Sequence, residues 1–218
     1  MEHNVTTAQS ARIKMKVLVL LSGGMDSTTI LGYAKTLHDE VEALTFDYGH
    51  KHRQELDNAQ KVADYYHTKL TRFEFDFAKH FNKSTIIYAG DKYLSDDYMP
   101  FRNMIIFAVA CGYAQAHGFE KIYYGANADD IFPDNLEPFL IQFNKSVEAM
   151  QTKIKIEYPF MKLNKKGIVE KAIELNVPLR LTRSCYEAGD KSCGKCIACK
   201  KRLIGFKEAG VVDEIEYC

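Results

Sequence analysis

The sequence has no excess of charge of either sign. Its 218 residues include 29 lysines and arginines against 29 aspartates and glutamates, so the formal net charge at pH 7 is zero. A protein that coats nucleic acid needs a strong basic excess, and a disordered acidic chain needs a high net charge with few apolar residues. Both classes are excluded, and the 46% of hydrophobic residues is enough to bury a core.

Long apolar runs and a secretory signal are also missing. The apolar run at 17–21 is five residues long, whereas a helix that crosses a bilayer needs roughly 20. Residues 1–16 are polar and lack the apolar stretch of a signal peptide. We therefore expect a cytoplasmic protein with no membrane partner. Its six cysteines should be reduced, and should serve as metal ligands or core residues rather than form disulfides.

Short apolar runs alternate with segments of helical spacing along most of the chain. This pattern predicts strands at 17–21, 42–46, 69–75 and 121–125, and helices at 28–37, 54–67, 102–117, 138–151 and 165–175. It is typical of a doubly wound α/β domain, here with a five-stranded and mostly parallel sheet. We predict a flexible leader at 1–14, the α/β domain at 15–183, and a metal-binding segment at 184–218 packed on that domain. Residues 82–100 are irregular and predict a long loop or lid.

The turn after the first strand carries the sharpest local signal. It reads Leu-Ser-Gly-Gly-Met-Asp-Ser-Thr-Thr over 21–29. Gly23 and Gly24 let the backbone approach an anion, while Ser22 and Ser27 offer hydroxyls at a helix N-terminus that favours negative charge. Asp26 would repel a phosphate unless it orients backbone groups or helps to hold Mg²⁺. The lysine of the Walker A loop is missing, and the alternative is an ordinary turn with Asp26 or Ser27 as the N-cap.

Four cysteines near the C-terminal end follow a metal-binding spacing. Cys185, Cys193, Cys196 and Cys199 form a C-x7-C-x2-C-x2-C pattern. Thiolates two residues apart can face one ion, and four of them complete a closed tetrahedral shell, so we predict a structural Zn²⁺. An iron–sulfur cluster and a redox pair are alternatives. The ferredoxin run would place a fourth cysteine at 203, where this chain has Leu203.

The glycine turn resembles the SGGxDS loop of the N-type ATP pyrophosphatases, which split ATP between its α and β phosphates and adenylate an acceptor. Within that group, five further segments are similar to the 7-cyano-7-deazaguanine synthase family. They are 46–55 (family FDYGQRHRxE), 99–103 (VPxRN), 125–130 (GxNxxD), 165–169 (TKxEIV) and 181–186 (LTWSCY). Their order and spacing together cover about 16–210.

The resemblance implies a fold, a reaction and a set of site residues. The fold is that of the adenine nucleotide alpha hydrolases. The reaction converts 7-carboxy-7-deazaguanine and ammonia to 7-cyano-7-deazaguanine (preQ0) in queuosine biosynthesis, with ATP and Mg²⁺. The implied partners are these small molecules and a second copy of the chain, with no direct contact to nucleic acid.

The residue roles also follow from the resemblance. Catalytic roles fall on Ser22, Asp26, Ser27, Arg102 and Lys165. The nucleotide would be bound by Leu21, Ser22, Gly23, Gly24, Met25, Asp26, Ser27, Thr28, Thr29, Ile30, Leu31, Asp47 and Tyr48. The acceptor would be bound by Arg53, Arg102, Asn103, Asn127, Asp129, Asp130 and Asp134, and the metal by Cys185, Cys193, Cys196 and Cys199. Without the family, Arg102 and Asn103 could simply cap a helix, and Asp129 and Asp130 could be turn residues.

The sequence departs from the family at four positions in three segments. Asn135 and Leu136 replace the Cys and Arg of the family's YPDCR segment, and His50 and Arg183 replace a Gln and a Trp. If residues 132–136 border the heterocycle pocket, acceptor recognition should differ. The alternatives are a tRNA sulfurtransferase, a related ligase for another deazaguanine or a protein acceptor, and a non-enzymatic zinc-ribbon module. Residues 162–202, with 11 basic and 4 acidic side chains, would suit RNA or ATP.

Overall fold

The computed structural model describes residues 13–49, 54–75, 88–89, 92–93, 99, 101–187 and 189–218. The predicted site residue Arg53, His50, almost all of the predicted leader and most of the predicted loop at 82–100 lie outside these ranges. The strands are β1 (Ile13–Leu20), β2 (His38–Asp47), β3 (Leu70–Glu74), β4 (Tyr88–Ala89), β5 (Lys92–Tyr93), β6 (Lys121–Tyr123) and β7 (Lys155–Glu157). The helices are α1 (Met25–Leu37), α2 (Gln54–Tyr65), α3 (Arg102–Ala116), α4 (Glu137–Ala149), α5 (Lys165–Glu174) and α6 (Ile197–Glu208).

A five-stranded parallel sheet forms the middle of the protein. Its strand order is β3-β2-β1-β6-β7, and every neighbouring pair runs parallel. The predicted α/β class and strand number are confirmed. The strands β4 and β5 form a separate antiparallel pair. Because the chain adds strands to one side of β1 and then crosses to the other, the carboxyl ends of β1 and β6 flank a switch point, where α/β sheets bind ligands.

Both faces of the sheet are covered by helices. In β1, Val17 and Val19 point to a core formed with α1, α2 and α5, while Leu18 and Leu20 point to a second core with α3 and α4. This alternation follows from the two-residue period of a strand, and all four side chains are buried. A strand buried on both faces reads as a continuous apolar run, which is the pattern at 17–21.

Three details of the elements were not in the sequence pattern. The strand β7 was not predicted, because three residues reading Lys-Ile-Glu show no strand periodicity. The helix α6 was also not predicted, and α1 begins at Met25 rather than at 28. Gly118, in contrast, follows the end of α3 with a positive φ of 73°, as expected for a helix terminator.

The C-terminal segment packs tightly against the rest of the fold. A Cβ on Gly205 of α6 would lie 2.8 Å from Cβ of Lys165, so only glycine allows α6 and α5 to approach this closely. Phe206 joins the core on the α1 side of the sheet. The domain boundary between 183 and 184 stays a prediction. Among the described residues, no helix is both long and apolar enough to span a membrane.

Candidate nucleotide site and metal centre

The turn between β1 and α1 is a tight loop at the switch point. Gly23 has a φ of 82°, and a Cβ there would lie 2.3 Å from the backbone oxygen of Glu55. The loop is therefore pressed against the first turn of α2, and only glycine fits. The Oγ of Ser22 lies 3.0 Å from the Oγ of Ser27 and accepts a hydrogen bond from the backbone N–H of Gly24.

The N-terminus of α1 is shaped to receive an anion. Its N-cap is Gly24, rather than the Asp26 or Ser27 of the ordinary-turn alternative, and no side chain caps it. The first-turn N–H groups and the positive end of the helix dipole therefore face the loop. A Cβ on Gly125, which follows β6, would lie 3.1 Å from the backbone nitrogen of Ser27, so this loop packs closely on the first turn of α1.

A lysine neutralises the acid of this loop. The Nζ of Lys165 donates to Oδ2 of Asp26 at 2.6 Å, and the backbone N–H of Lys165 donates to Asp129 at 2.7 Å. Both side chains are largely buried, with 16% of Lys165 and 27% of Asp26 exposed. The charge of Asp26 is therefore balanced by the first residue of α5, which reduces the repulsion that this carboxylate would exert on an anion in the loop.

The acidic loop after β6 is folded around its own side chains. Asn127 is buried, its backbone N–H donates to Asp130, and its side-chain oxygen accepts from the backbone N–H of Asp129. Burial, together with the nearby charge of Asp26, raises the pKa of Asp130 to about 6. Lys201 of α6 donates to the backbone oxygen of Asp129 at 2.5 Å. The loop is thus held in place by α5 and α6, and it is not a solvated turn.

The segment that departs from the family forms a buried polar network with α3. The backbone N–H of Asn103 donates to Asp134 at 3.0 Å, and its side chain donates to Asn135. The hydroxyl of Tyr124 also donates to Oδ1 of Asn135, at 2.5 Å. Asn135 is buried, whereas Leu136 is 36% exposed. Arg102, next to Asn103, donates to the hydroxyl of Tyr48 at 3.3 Å.

Two adjoining cavities open on the phosphate loop. The larger has a volume of about 260 Å³ and an apolar wall that includes Leu20, Leu44, Phe46 and Ile106. The smaller, of about 170 Å³, is lined by Lys165, Arg183, Lys201 and Arg202. Six residues line both cavities: Ser22, Gly24, Asp26, Glu55, Asp130 and Tyr186. A flat ring suits the apolar wall of the larger space. The smaller space has both signs of charge, since Asp26, Glu55, Asp129 and Asp130 line it beside its lysines and arginines, and those cations are the groups that can contact phosphate.

The structure brings many of the predicted site residues to these cavities, but not all of them. Those that line a cavity are Leu21, Ser22, Gly24, Met25, Asp26, Ser27, Tyr48, Arg102, Asn103, Asp129, Asp130 and Lys165. Predicted residues that line neither are Gly23, Thr28, Thr29, Ile30, Leu31, Asp47, Asn127 and Asp134. Of these, Thr28, Thr29, Ile30 and Leu31 are fully buried in the body of α1, and Asp47 is held by Arg72 at 2.6 Å.

Many lining residues were not among the predicted site residues, and three of them have acidic or phenolic side chains. Glu55, Tyr124 and Tyr186 all line the larger cavity, and Glu55 and Tyr186 also line the smaller one. A signal for two of them was present, because Glu55 ends the family-like segment 46–55 and Tyr186 ends the segment 181–186. Tyr124 carried no such signal, since only the fold brings the residue after β6 against α3.

The four predicted metal ligands form one cluster. The sulfur atoms of Cys185, Cys193, Cys196 and Cys199 all lie within 4.8 Å of one another. The Sγ atoms of Cys193 and Cys199 are 4.0 Å apart, close to the separation of about 3.8 Å that a tetrahedral ion with 2.3 Å metal–sulfur bonds requires. The donor set therefore fits a tetrahedral metal ion.

Backbone N–H groups prepare the sulfur atoms for a cation. Cys185 accepts from Glu187 and Cys193, Cys193 accepts from Lys195 and Cys196, and Cys196 accepts from Cys199. The bonds from Cys196 and Lys195 lower the pKa of Cys193 to about 6. A thiolate is the form that binds metal, so this backbone arrangement favours binding.

Arg183 links the metal segment to the phosphate loop. Its buried guanidinium donates to the backbone oxygens of Glu187, Asp190 and Lys191, within the loop between the first two cysteines. Its backbone N–H donates to the oxygen of Gly23 at 3.0 Å. The arginine that replaces the family's tryptophan thus holds the metal loop through side-chain hydrogen bonds.

Comparison with known proteins identifies the family. The sequence matches the model of the queuosine biosynthesis protein QueC over residues 16–210. The chain belongs to the QueC family. A protein of Oceanobacillus iheyensis named 7-cyano-7-deazaguanine synthase is 38% identical, with 93% of this chain and 98% of that protein covered. One of the same name from Acetivibrio thermocellus is 39% identical, with 93% and 97% covered.

Solved structures share the fold of this QueC family member at lower identity. A predicted subunit of a tRNA methyltransferase from Methanocaldococcus jannaschii is 20% identical, with a TM-score of 0.51. The match covers 94% of this chain and 92% of that one. At this identity the likeness shows the fold alone, so the assignment to the QueC family rests on the sequence matches.

Proposed function

We propose that this QueC family member is a 7-cyano-7-deazaguanine synthase, an ATP-dependent ligase that forms carbon–nitrogen bonds. The observation that carries the proposal is the Asp26–Lys165 pair, which lies where two adjoining cavities meet at the phosphate loop. Such a site can hold a nucleotide and an acceptor side by side. The names of the relatives supply the product, 7-cyano-7-deazaguanine, and the family resemblance implies the acceptor, 7-carboxy-7-deazaguanine.

The chemistry needs ATP because a carboxylate oxygen is a poor leaving group. The carboxylate attacks the α-phosphate and releases pyrophosphate, which leaves an acyl-adenylate. Ammonia then displaces AMP and forms the amide. A second adenylation, on the amide oxygen, and loss of AMP with protons give the nitrile, so two ATP are split per product. The protein acts mainly by positioning the two ligands and by neutralising charge.

Several chain elements supply this positioning. We assign the phosphates to the N-terminus of α1 and to the basic side chains of the smaller cavity, which include Lys165 and Lys201. Lys165 offsets negative charge at the loop, and Ser22 and Ser27 offer hydroxyls to phosphate oxygens. The larger cavity, with Arg102 and Asn103 on its wall, is wide enough for a flat heterocycle.

We further propose that the metal is a structural Zn²⁺ and that ATP is used with Mg²⁺. Four thiolates in a closed shell suit zinc, whose role here is to hold residues 184–218 in shape. Free ammonium is the proposed nitrogen donor, because the clustered cysteines are committed to metal. The family resemblance supports a homodimer that acts in the cytoplasm.

Mass spectrometry of products tests the proposed function. The purified protein is incubated with ATP, Mg²⁺, ammonium and 7-carboxy-7-deazaguanine, and each component is omitted in turn. We expect 7-cyano-7-deazaguanine together with two AMP and two pyrophosphate, and none of the three when the acceptor is left out. Release of AMP with a different deazaguanine only, or transfer of sulfur to tRNA, would contradict the proposal.

A further inference from the structure

Glu55 lies at the junction of the two cavities. It is in the first turn of α2, and its backbone oxygen is packed against Gly23 of the phosphate loop. The residue lines the larger and the smaller cavity alike. Its carboxylate is thus placed where a ligand in one cavity meets a ligand in the other, at the edge of the phosphate site.

The other acids of these cavities are already engaged. Asp26 is held by Lys165, Asp129 accepts from the backbone of Lys165, and Asp130 accepts from the backbone of Asn127. In contrast, no described residue donates a hydrogen bond to the carboxylate of Glu55 or forms an ion pair with it. Among the described acids of the two cavities, Glu55 is therefore the one whose whole carboxylate is left to contact a small cation, whereas in Asp26 only Oδ1 lacks a partner.

Groups from three other parts of the fold face Glu55. Arg102 comes from the start of α3, Tyr48 follows β2, and Arg183 and Tyr186 lie on either side of Cys185. Burial raises the pKa of Glu55 to about 7, and the charges of Arg102 and Arg183 oppose that rise. A carboxyl group with a pKa near neutral pH can both take up and release a proton there.

We propose that Glu55 is the residue that binds ammonium and removes its proton before attack on the adenylate. This inference rests on the proposed function, which requires a nitrogen nucleophile. Ammonium gives one proton to the carboxylate of Glu55 and becomes ammonia. The nitrogen lone pair then forms the C–N bond, while the bond from the carbonyl carbon to the AMP oxygen breaks and its electron pair leaves with AMP. The remaining excess proton on nitrogen passes to solvent.

The experiment uses the full-length Glu55→Gln protein, in which the side chain keeps its shape but cannot take up a proton. We expect kcat/KM for ammonium to fall by roughly 10²–10⁴-fold at pH 7. Exchange of labelled pyrophosphate into ATP in the presence of acceptor should be unchanged, because it reports the adenylation that precedes ammonia. Asp57→Asn is the matched control, since Asp57 is exposed on the same helix turn.

The pH dependence separates a base from a structural residue. The ammonium-dependent rate of the unaltered protein should rise with pH and level off above about 7, as Glu55 ionises. The Glu55→Gln rate should keep rising by about tenfold per pH unit, because it depends on free ammonia in solution. Hydroxylamine, which is neutral at pH 7, should restore acyl transfer in the variant, and Glu55→Asp should keep the levelling-off.

Each possible result either supports or overturns the assignment of Glu55 as the base. If Glu55→Gln retains the ammonium dependence and the levelling-off, Glu55 is not the base. Equal loss with hydroxylamine and ammonium would also overturn the proposal, since a neutral nucleophile needs no such base. If the unaltered protein fails to exchange pyrophosphate, the proposed function fails at an earlier step. A misfolded Glu55→Gln protein would be recognised because it no longer exchanges pyrophosphate into ATP. The pH dependence of Glu55→Asp would then be measured in its place.

Discussion

The Nζ of Lys165 lies 2.6 Å from Oδ2 of Asp26, although 139 positions separate the two residues in the sequence. The contact joins the first turn of α5 to the phosphate loop after β1. The same lysine holds Asp129 through its backbone, and it is itself covered by Gly205 of α6. One residue therefore connects the phosphate loop, the acidic loop after β6 and α6, the helix that contains Cys199 of the cysteine cluster.

Replacing this lysine should weaken use of ATP. In Lys165→Gln, Asp26 loses its counter-charge and would repel the phosphates. Loss of a charge-assisted contact of about 1.5–3 kcal/mol predicts a fall in kcat/KM for ATP of roughly ten- to hundred-fold. Steady-state kinetics at saturating acceptor measure it. Lys166→Gln, at a half-exposed neighbour, should behave like the unaltered protein. Equal loss in both variants would contradict this role for Lys165.

Changes in the phosphate loop should remove turnover but preserve the fold. Ser22→Ala removes a hydroxyl that contacts Ser27 and Gly24, and Asp26→Ala removes the partner of Lys165. We expect kcat/KM for ATP to fall by about tenfold for the first and more for the second. Circular dichroism checks the fold, and Ser146→Ala on the exposed face of α4 is the control. Full activity in either loop variant would show that the loop does not bind the phosphates.

Loss of one cysteine of the cluster should affect folding more than ligand chemistry. Cys193 contributes one of the four clustered sulfurs, so Cys193→Ser should lose the metal and unfold at a lower temperature. Elemental analysis should find one zinc per unaltered chain, and Cys218→Ser, at an exposed terminal residue, should retain it. Iron in place of zinc, or a metal-free Cys193→Ser that melts normally, would disagree with a structural zinc.

Asn135, in the segment that departs from the family, should affect how tightly the acceptor binds. Asn135→Cys removes the oxygen that accepts from Asn103 and Tyr124 at the wall of the larger cavity. We expect the KM for 7-carboxy-7-deazaguanine to shift by about tenfold, while the KM for ATP stays nearly constant. Adding Leu136→Arg should change little more, because Leu136 is exposed and lines neither cavity. A changed KM for ATP would instead place this segment in the nucleotide site.

The close approach of α6 to α5 should make one glycine sensitive to substitution. A methyl group at Gly205 would lie 2.8–2.9 Å from Lys165, including its backbone. Gly205→Ala should cost roughly 1–3 kcal/mol and displace Lys165, so both the melting temperature and kcat should fall. Gly112→Ala is the matched control, because that helical position has no neighbour within 4 Å and alanine should be neutral or stabilising. An equal response of the two variants would contradict the predicted packing.

The local patterns of the sequence determined the fold class and the two motifs. The apolar run at 17–21 indicated a strand buried on both faces, and the glycine turn after it indicated a phosphate loop. These features depend on residues close together in the chain, where backbone geometry and side-chain period act directly. The spacing of Cys193, Cys196 and Cys199 is local in the same way, and the structure brings their sulfurs together with that of Cys185.

The tertiary structure alone decided which of the predicted residues face the site. Thr28, Thr29, Ile30 and Leu31 belong to the same helix as the loop, yet they are buried in its body, because a helix turns its residues through 100° each. The short strand β7 forms only because β6 offers it an edge. The pairing of Asp26 with Lys165 and the exposure of Glu55 to both cavities depend on contacts between distant segments. No local pattern encodes such contacts, since they arise only when the sheet brings its loops to one edge.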